Sequence, residues 1–188
     1  MSRWEPNARG RLQQAAMELY AERGFDSTTV VEIAGRAGLT ERTFFRYFAD
    51  KREVLFWGAK ELEASLVAQV EAGPGGPPLG VVVGAFVHAA DFFEGRREQA
   101  RQRQAVIASS PELRERELIK LASLGAALAD ALRRRGVTEP GATLAAEAGL
   151  AVFRVAFERW VGGAGDQPLA KLLEDTADRL ADLTSERV

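Results

Sequence analysis

Residues able to meet a polyanion gather in one short run of this chain. Between Thr40 and Lys51 stand Arg42, Thr43, Phe45, Arg46, Tyr47 and Lys51, with Thr29 a little upstream. Each type has a use against DNA. An arginine forks onto the edge of guanine, a threonine meets a thymine methyl or a phosphate, and a tyrosine hydroxyl suits a phosphate oxygen. At about 100° per residue, Phe44 and Phe48 share one helical face and are core candidates, which leaves the polar set to project elsewhere. Solvated arginines give many helices a similar face. What favours nucleic acid here is the agreement between this cluster and the elements that would hold it.

Those elements are short helices with well-marked ends. Thr29 and Glu32 form an S/T-x-x-E capping box, so a helix is expected from Val30, with Ile33, Ala34 and Ala37 as its apolar stripe and Gly38 as its stop. Thr40 caps a second helix over Glu41 to Tyr47, and Leu39 before it can staple onto Phe44. Two short helices around a glycine-containing turn match the helix-turn-helix, whose second helix enters the major groove. A supporting helix is expected from Asn7 to Arg23, with Leu12, Ala15, Ala16, Leu19 and Tyr20 on one face. Arg3, Arg9 and Arg11 at its start are within reach of flanking phosphates. Downstream, Asp50 and Glu53 read as the cap of a fourth helix running through Val54, Leu55, Leu62, Leu66 and Val70. Lys51 would then sit at a helix start, where a cation is unfavourable unless an anion joins it.

From Arg9 to about Leu66 the chain resembles the TetR-type transcriptional regulators. The resemblance rests on R-G-R-L-Q-Q-A-A-M-E-L-Y-A-E-R-G-F, on T-T-V-V-E-I-A-G-R-A-G-L-T and on R-T-F-F-R-Y-F-A-D-K. By that likeness Thr43, Tyr47 and Lys51 take phosphate contacts, while Arg42 and Arg46 are the sequence-reading positions. Phe45 departs from the pattern, standing where the family most often has Tyr, and offers only ring contact to a sugar or a thymine methyl.

Composition narrows the alternatives. The chain has 188 residues, no cysteine, one histidine (His88) and a net charge of −2. Disulfides, thiolate zinc sites and cysteine nucleophiles are thereby excluded, and a lone histidine gives no metal site. No cofactor is expected. An all-α enzyme would need convergent polar groups, whereas the carboxylates here are spread over helical faces. The start of the chain, M-S-R-W-E-P-N, has no apolar core of a leader, and no run of eighteen apolar residues follows, so a cytoplasmic location without membrane contact is expected. Charge is uneven: Met1 to Arg52 carries nine Lys/Arg against seven Asp/Glu. That leaves room for a local basic footprint on an acidic protein.

Beyond Gly73-Pro-Gly-Gly-Pro-Pro, a stretch no helix survives, long helical patterns follow: Leu79 to Phe93, Arg96 to Ala108, Pro111 to Arg135, Pro140 to Val161 and Gln167 to Ser185. Pro111 at N1, Gly136 after three arginines and Asp166 before the last helix mark the ends. R-Q-R-Q-A-V-I-A-S-S-P-E-L-R-E-R bears a loose likeness to actinobacterial members of the same family, which implies a ligand chamber and a two-fold dimer. The last two helices offer Ala148, Ala151, Val152 and Val155 on one and Leu172, Leu173, Thr176 and Leu180 on the other as the dimer face, because small residues allow close helix approach. Phe86, Phe93, Leu121, Leu124, Leu128, Phe153, Phe157 and Trp160 are the candidates to line an apolar chamber.

The expected protein is all-α, with an N-terminal three-helix helix-turn-helix DNA-binding domain over residues 1–52 and a C-terminal helical ligand-binding and dimerisation domain over 53–188. Its expected partners are a palindromic double-stranded DNA operator, a second copy of itself, and a small apolar or amphipathic effector that releases the DNA. The competing reading is an all-α interaction or scaffold protein that does not read DNA.

Overall fold

The computed structural model describes residues 7–163 and 167–185. Arg3 and Asp166 lie outside the described residues. These contain nine α-helices and no strand: α1 (Ala8–Arg23), α2 (Val30–Arg36), α3 (Glu41–Tyr47), α4 (Ala59–Ala72), α5 (Pro78–Ala89), α6 (Arg97–Ser109), α7 (Pro111–Arg134), α8 (Gly141–Val161) and α9 (Leu169–Ser185). A short 3-10 turn, Ala90–Phe93, follows α5. Two compact units result, one up to Gly58 together with Gln102–Glu117, the other Ala59–Arg101 together with the chain from Leu118. This partition differs from the sequence-based division at residue 52. The first unit extends six residues further and takes in the later segment as well.

In the first unit the local signals act as expected. The hydroxyl of Thr29 accepts from the Glu32 amide at 3.3 Å, and Glu32 accepts from the Thr29 amide at 2.9 Å. Gly38, at φ 65°, takes the left-handed conformation that ends α2, and the Leu39 amide reaches back to the Ala34 carbonyl at 2.8 Å. This is the wrapped helix end that glycine permits without a Cβ clash. Leu12, Leu19, Ile33 and Phe44 are wholly buried, and Val106, Ile107 and Leu113 join the same core.

The fourth helix differs from expectation. Asp50 does accept from the Arg52 and Glu53 amides, at 2.8 and 3.1 Å, but residues 51–58 form turns and α4 begins only at Ala59. Two causes are visible. Gly58 has φ 85°, outside the helical region, and the Glu53 carboxylate accepts from Arg116 of α7 at 2.6 Å. Val54, Leu55 and Phe56 fill the first core, and Leu66 and Val70 the second.

The second unit packs α5 against α8 and α9, with α4 alongside α5. Its tightest approach is at Gly149 of α8. A Cβ there would stand 2.4 Å from Val82 Cγ1 of α5, so only glycine lets the helices come this close. Leu128, Leu132, Ala146, Ala156, Leu172 and Leu173 are fully enclosed in this core. Arg135 donates to the carbonyls of Val70, Gly73 and Pro74, which satisfies the open end of α4. No helix of the described residues is long and apolar enough to cross a membrane.

Candidate nucleic-acid interface

The interface is built on α3. Phe44 and Phe48 turn inward with ring centroids 5.4 Å apart, and this anchors the helix. Arg42 and Arg46 are exposed, Phe45 is 51 % exposed, and Thr43 and Tyr47 are half-buried. Arg46 donates to the Tyr47 hydroxyl at 3.2 Å and lies 4.9 Å from that ring's centroid. Thr40 caps α3 by accepting from the Thr43 amide at 3.2 Å, and the two threonine hydroxyls are 2.9 Å apart. That contact uses one hydroxyl proton of the pair, so the other remains for a phosphate oxygen.

Two residues expected at the DNA are occupied inside the protein. Lys51 Nζ donates to the carbonyls of Phe25 at 2.8 Å, Thr28 at 2.9 Å and Asp26 at 3.3 Å, and it rests 4.3 Å from the Phe25 ring centroid. An ammonium has three donors and all three are taken. Lys51 therefore closes the loop between α1 and α2 in the DNA-free chain. Its own carbonyl accepts from the Tyr20 hydroxyl at 2.6 Å. Burial, then the nearby Asp50 carboxylate, hold that phenol well above its ordinary value, so it stays a donor. Thr29 is likewise engaged: its one hydroxyl proton goes to Glu32 Oε2 at 2.8 Å, beside a carboxylate that repels phosphate. The same bonds from Thr29, backbone first, hold Glu32 below its ordinary value. Arg11 donates to the Ala37 carbonyl at the end of α2.

The remaining cations sort themselves by partner. Arg23 pairs with Glu32, Arg36 with Glu18 and Glu22, Arg52 with Asp50 and Glu112, Arg103 with Glu117, and Arg116 with Glu53. Among the described residues of the first unit, Arg9, Arg42 and Arg46 make no such pair, nor does Arg114 of α7. Arg42 and Arg46 lie on α3, and the Arg9 guanidinium lies 5.5 Å from the ring of Tyr47 at the end of α3. Three cations without counter-ions thus gather about one helix-turn-helix, an arrangement suited to a polyanion.

Residues 12–56 match the family model of bacterial regulatory proteins of the tetR family, and residues 76–185 match that of the MftR C-terminal domain. This chain belongs to the TetR family. A TetR-family regulator carries a helix-turn-helix for DNA and is not an enzyme. The chain is similar to the HTH-type transcriptional regulator TcmR of Streptomyces glaucescens, 38 % identical over 79 residues, which is 42 % of this chain but only 35 % of that relative's length. It is 28 % identical over 154 residues to a Mycobacterium tuberculosis protein named as the mycofactocin biosynthesis transcriptional regulator MftR, covering 80 % of this chain and 78 % of that one. Among solved structures it is similar to Thermus thermophilus FadR, a TetR-family transcriptional repressor in complex with lauroyl-CoA. That likeness has TM-score 0.59 and 26 % identity, covering 96 % of this chain and 95 % of that one.

In the second unit of this TetR-family chain, the chamber candidates separate into two groups. Phe86 stacks on Phe153 with centroids 4.7 Å apart, Phe153 meets Phe157 at 5.5 Å, and Phe93 contacts Phe157 at 5.5 Å and Trp160 at 6.2 Å. This aromatic run ends at a cleft of about 320 Å³, bordered by Phe93 and Trp160 together with Asp91, Glu94, Arg97 and Leu169. Leu124 and Leu128 are buried and Leu121 half-buried against the same core, and none of the three borders the cleft. The polar rim was missed because Asp91, Glu94 and Arg97 read in sequence as ordinary surface charges flanking Gly95.

The dimer candidates also divide. Val152, Leu172 and Leu173 are buried within the unit and cannot form a face, a correction with a simple cause: they belong to the core that α5, α8 and α9 build together. Ala148, Thr176 and Leu180 are half-buried, Ala151 is exposed and Val155 is 48 % exposed. Leu144, overlooked in sequence, is 64 % exposed. It completes a stripe with Ala148, Ala151 and Val155 at spacings of four, three and four, which is one face of a helix.

Proposed function

We propose that this chain is a homodimeric repressor that reads a palindromic operator with α3 of each protomer and leaves DNA when a small amphipathic molecule binds its second unit. The observation that carries the reading is the set of unpaired arginines about α3, set beside five others of the same unit that are each matched to a carboxylate. A scaffold protein would have no use for that distinction. Two-fold symmetry is supported by the Leu144, Ala148, Ala151 and Val155 stripe, which on a monomer would leave large apolar groups in water. The aromatic run ending in a cleft rimmed by Asp91, Glu94 and Arg97 supports an effector with an apolar body and a polar end. FadR binds an acyl-CoA, which is of that broad type. Release then follows from linkage: an effector that favours a dimer poorly matched to the operator lowers DNA affinity, and DNA lowers effector affinity by the same factor.

The experiment is selection of duplexes from a random-sequence library by the full chain. An enriched palindrome with two half-sites is expected, and Arg46→Ala should change which bases are preferred at one position per half-site, at a cost of roughly 1 to 3 kcal/mol. Ala151→Arg should give helical monomers by sedimentation that bind the same duplex weakly. A library that enriches no sequence refutes the operator reading, and a dimer unchanged by Ala151→Arg refutes the stripe as its interface.

A further inference from the structure

Outside the recognition helix, Arg9 at the start of α1 and Trp57 in the turns before α4 meet beside Tyr47. The Arg9 guanidinium carbon is 5.1 Å from the Trp57 ring centroid and 5.5 Å from that of Tyr47. Tyr47 also receives the Arg46 guanidinium at 4.9 Å, so one phenol ring serves two cations. Trp57 is 43 % exposed, a large surface for an indole to leave in water unless it has a use there. Neither arginine has a carboxylate partner among the described residues.

Three physical points converge on these groups. Like charges brought to one ring repel, the ring faces offset this only in part, and a bound anion would offset the rest. A guanidinium held against aromatic faces keeps its edge N–H groups free, in the planar fork that meets a phosphate bidentately. Packing also removes much of the rotamer freedom that an arginine otherwise loses on binding, so the contact is pre-organised. Since Lys51 is engaged with the Phe25, Asp26 and Thr28 carbonyls, the flank of α3 needs another cation to fix its register on the DNA backbone.

We propose that Arg9 is a phosphate-binding residue of the DNA interface and that Trp57 is the positioning residue that holds it, acting through Arg9 and not by a contact of its own. This rests on the DNA-binding reading above. Arg9 sets affinity and carries no base preference, while Arg42 and Arg46 carry the preference.

The test uses the duplex enriched by the wild-type chain, titrated at several salt concentrations between about 50 and 200 mM with wild type, Arg9→Ala, Arg9→Lys, Trp57→Leu, Trp57→Phe and the Arg9→Ala/Trp57→Leu double variant. Arg9→Ala should lower the slope of log affinity against log salt by about 0.9 per protomer and so about 1.8 for the dimer, which over that range makes the affinity loss roughly 12-fold smaller. The preferred sequence on reselection should not change. Arg9→Lys should recover the slope and only part of the affinity, since an ammonium is a point charge without the fork. Trp57→Leu keeps apolar bulk but removes the ring face. It should weaken binding in the wild-type background and have no effect beside Arg9→Ala, whereas Trp57→Phe should bind nearly as wild type. An Arg9→Ala slope equal to wild type overturns the phosphate assignment. A Trp57→Leu loss of the same size in both backgrounds overturns the positioning role. If the wild type enriches no duplex, the DNA reading fails first, which is a separate result.

Discussion

Replacing Lys51 by Met separates the two roles open to this lysine. Its ammonium donates to three backbone carbonyls, two of them at 2.8 and 2.9 Å and one at 3.3 Å. A hydrogen bond to a charged group contributes about 1.5 to 3 kcal/mol in favourable cases, and the longest of the three falls beyond the usual range. The group is half-buried, so solvent takes over part of each lost bond, and methionine keeps most of the stem's contact with Phe25. The net loss should be about 2 to 3 kcal/mol. For a chain of this length that lowers the melting temperature by roughly 4 to 12 °C. Far-UV circular dichroism on DNA-free protein would read the shift, and Lys51→Arg should not restore it, because a planar fork cannot point three donors at converging carbonyls. Salt dependence of DNA binding supplies the contrary arm. A Lys51→Met variant that melts with the wild type yet loses about one unit of salt slope per protomer would refute the clamp and return Lys51 to the phosphates.

Gly149→Ala should destabilise the second unit by about 1 to 3 kcal/mol, as overpacking does, because the new Cβ would lie 2.4 Å from Val82 Cγ1. Adding Val82→Ala should recover part of that loss in chemical denaturation. Arg103 donates to the Leu55 carbonyl at 2.7 Å and to Glu117 at 3.2 Å, with 30 % and 25 % of the two side chains accessible, so Arg103→Met should cost roughly 2 kcal/mol, between the values for exposed and buried pairs. Glu117→Gln, which leaves the Leu55 contact in place, should cost less. Glu32 has its carboxyl held below the ordinary value of 4.5 by the Thr29 bonds, so its contribution is present above that pH and is lost as pH falls through the depressed value. The difference in denaturation midpoint between wild type and Glu32→Gln should accordingly be constant near neutrality and shrink in acid. A difference that grows in acid would contradict the capping geometry.

What the sequence showed best was local. The Thr29 and Thr40 caps, the Gly38 turn and Pro111 at N1 involve residues within a few positions of one another, and α2, α3 and α7 start where those signals place them. The cost of an unmet amide at a helix start is the same in any context, so such signals survive folding. Contacts made across the chain were not legible. Lys51 binds carbonyls 23 to 26 residues away, and no spacing rule records where those carbonyls will be. Val54, Leu55, Leu66 and Val70 share one apolar rhythm, yet the first two enter one core and the last two another, because Gly58 breaks the helix between them. On α8 the periodicity marks apolar positions on more than one face, and Val152 is buried where Ala151 beside it is exposed.

The first unit is discontinuous: its core takes Val106, Ile107 and Leu113 from a segment separated by Ala59–Arg101. During synthesis the helix-turn-helix segment therefore leaves the ribosome with Val54, Leu55 and Phe56 still uncovered, and it cannot close until the chain has been made past Glu117. Closing the long intervening loop lowers the entropy before any of these contacts form, so this unit should be the slow step of folding despite its small helices. A fragment cut at Gly58, the natural choice for an isolated DNA-binding module, would keep every residue of α3 and lack part of its own interior. It should be molten, with native-like helix content and exposed apolar surface, and DNA binding in such a fragment would return only when residues 102–117 are supplied in the same chain.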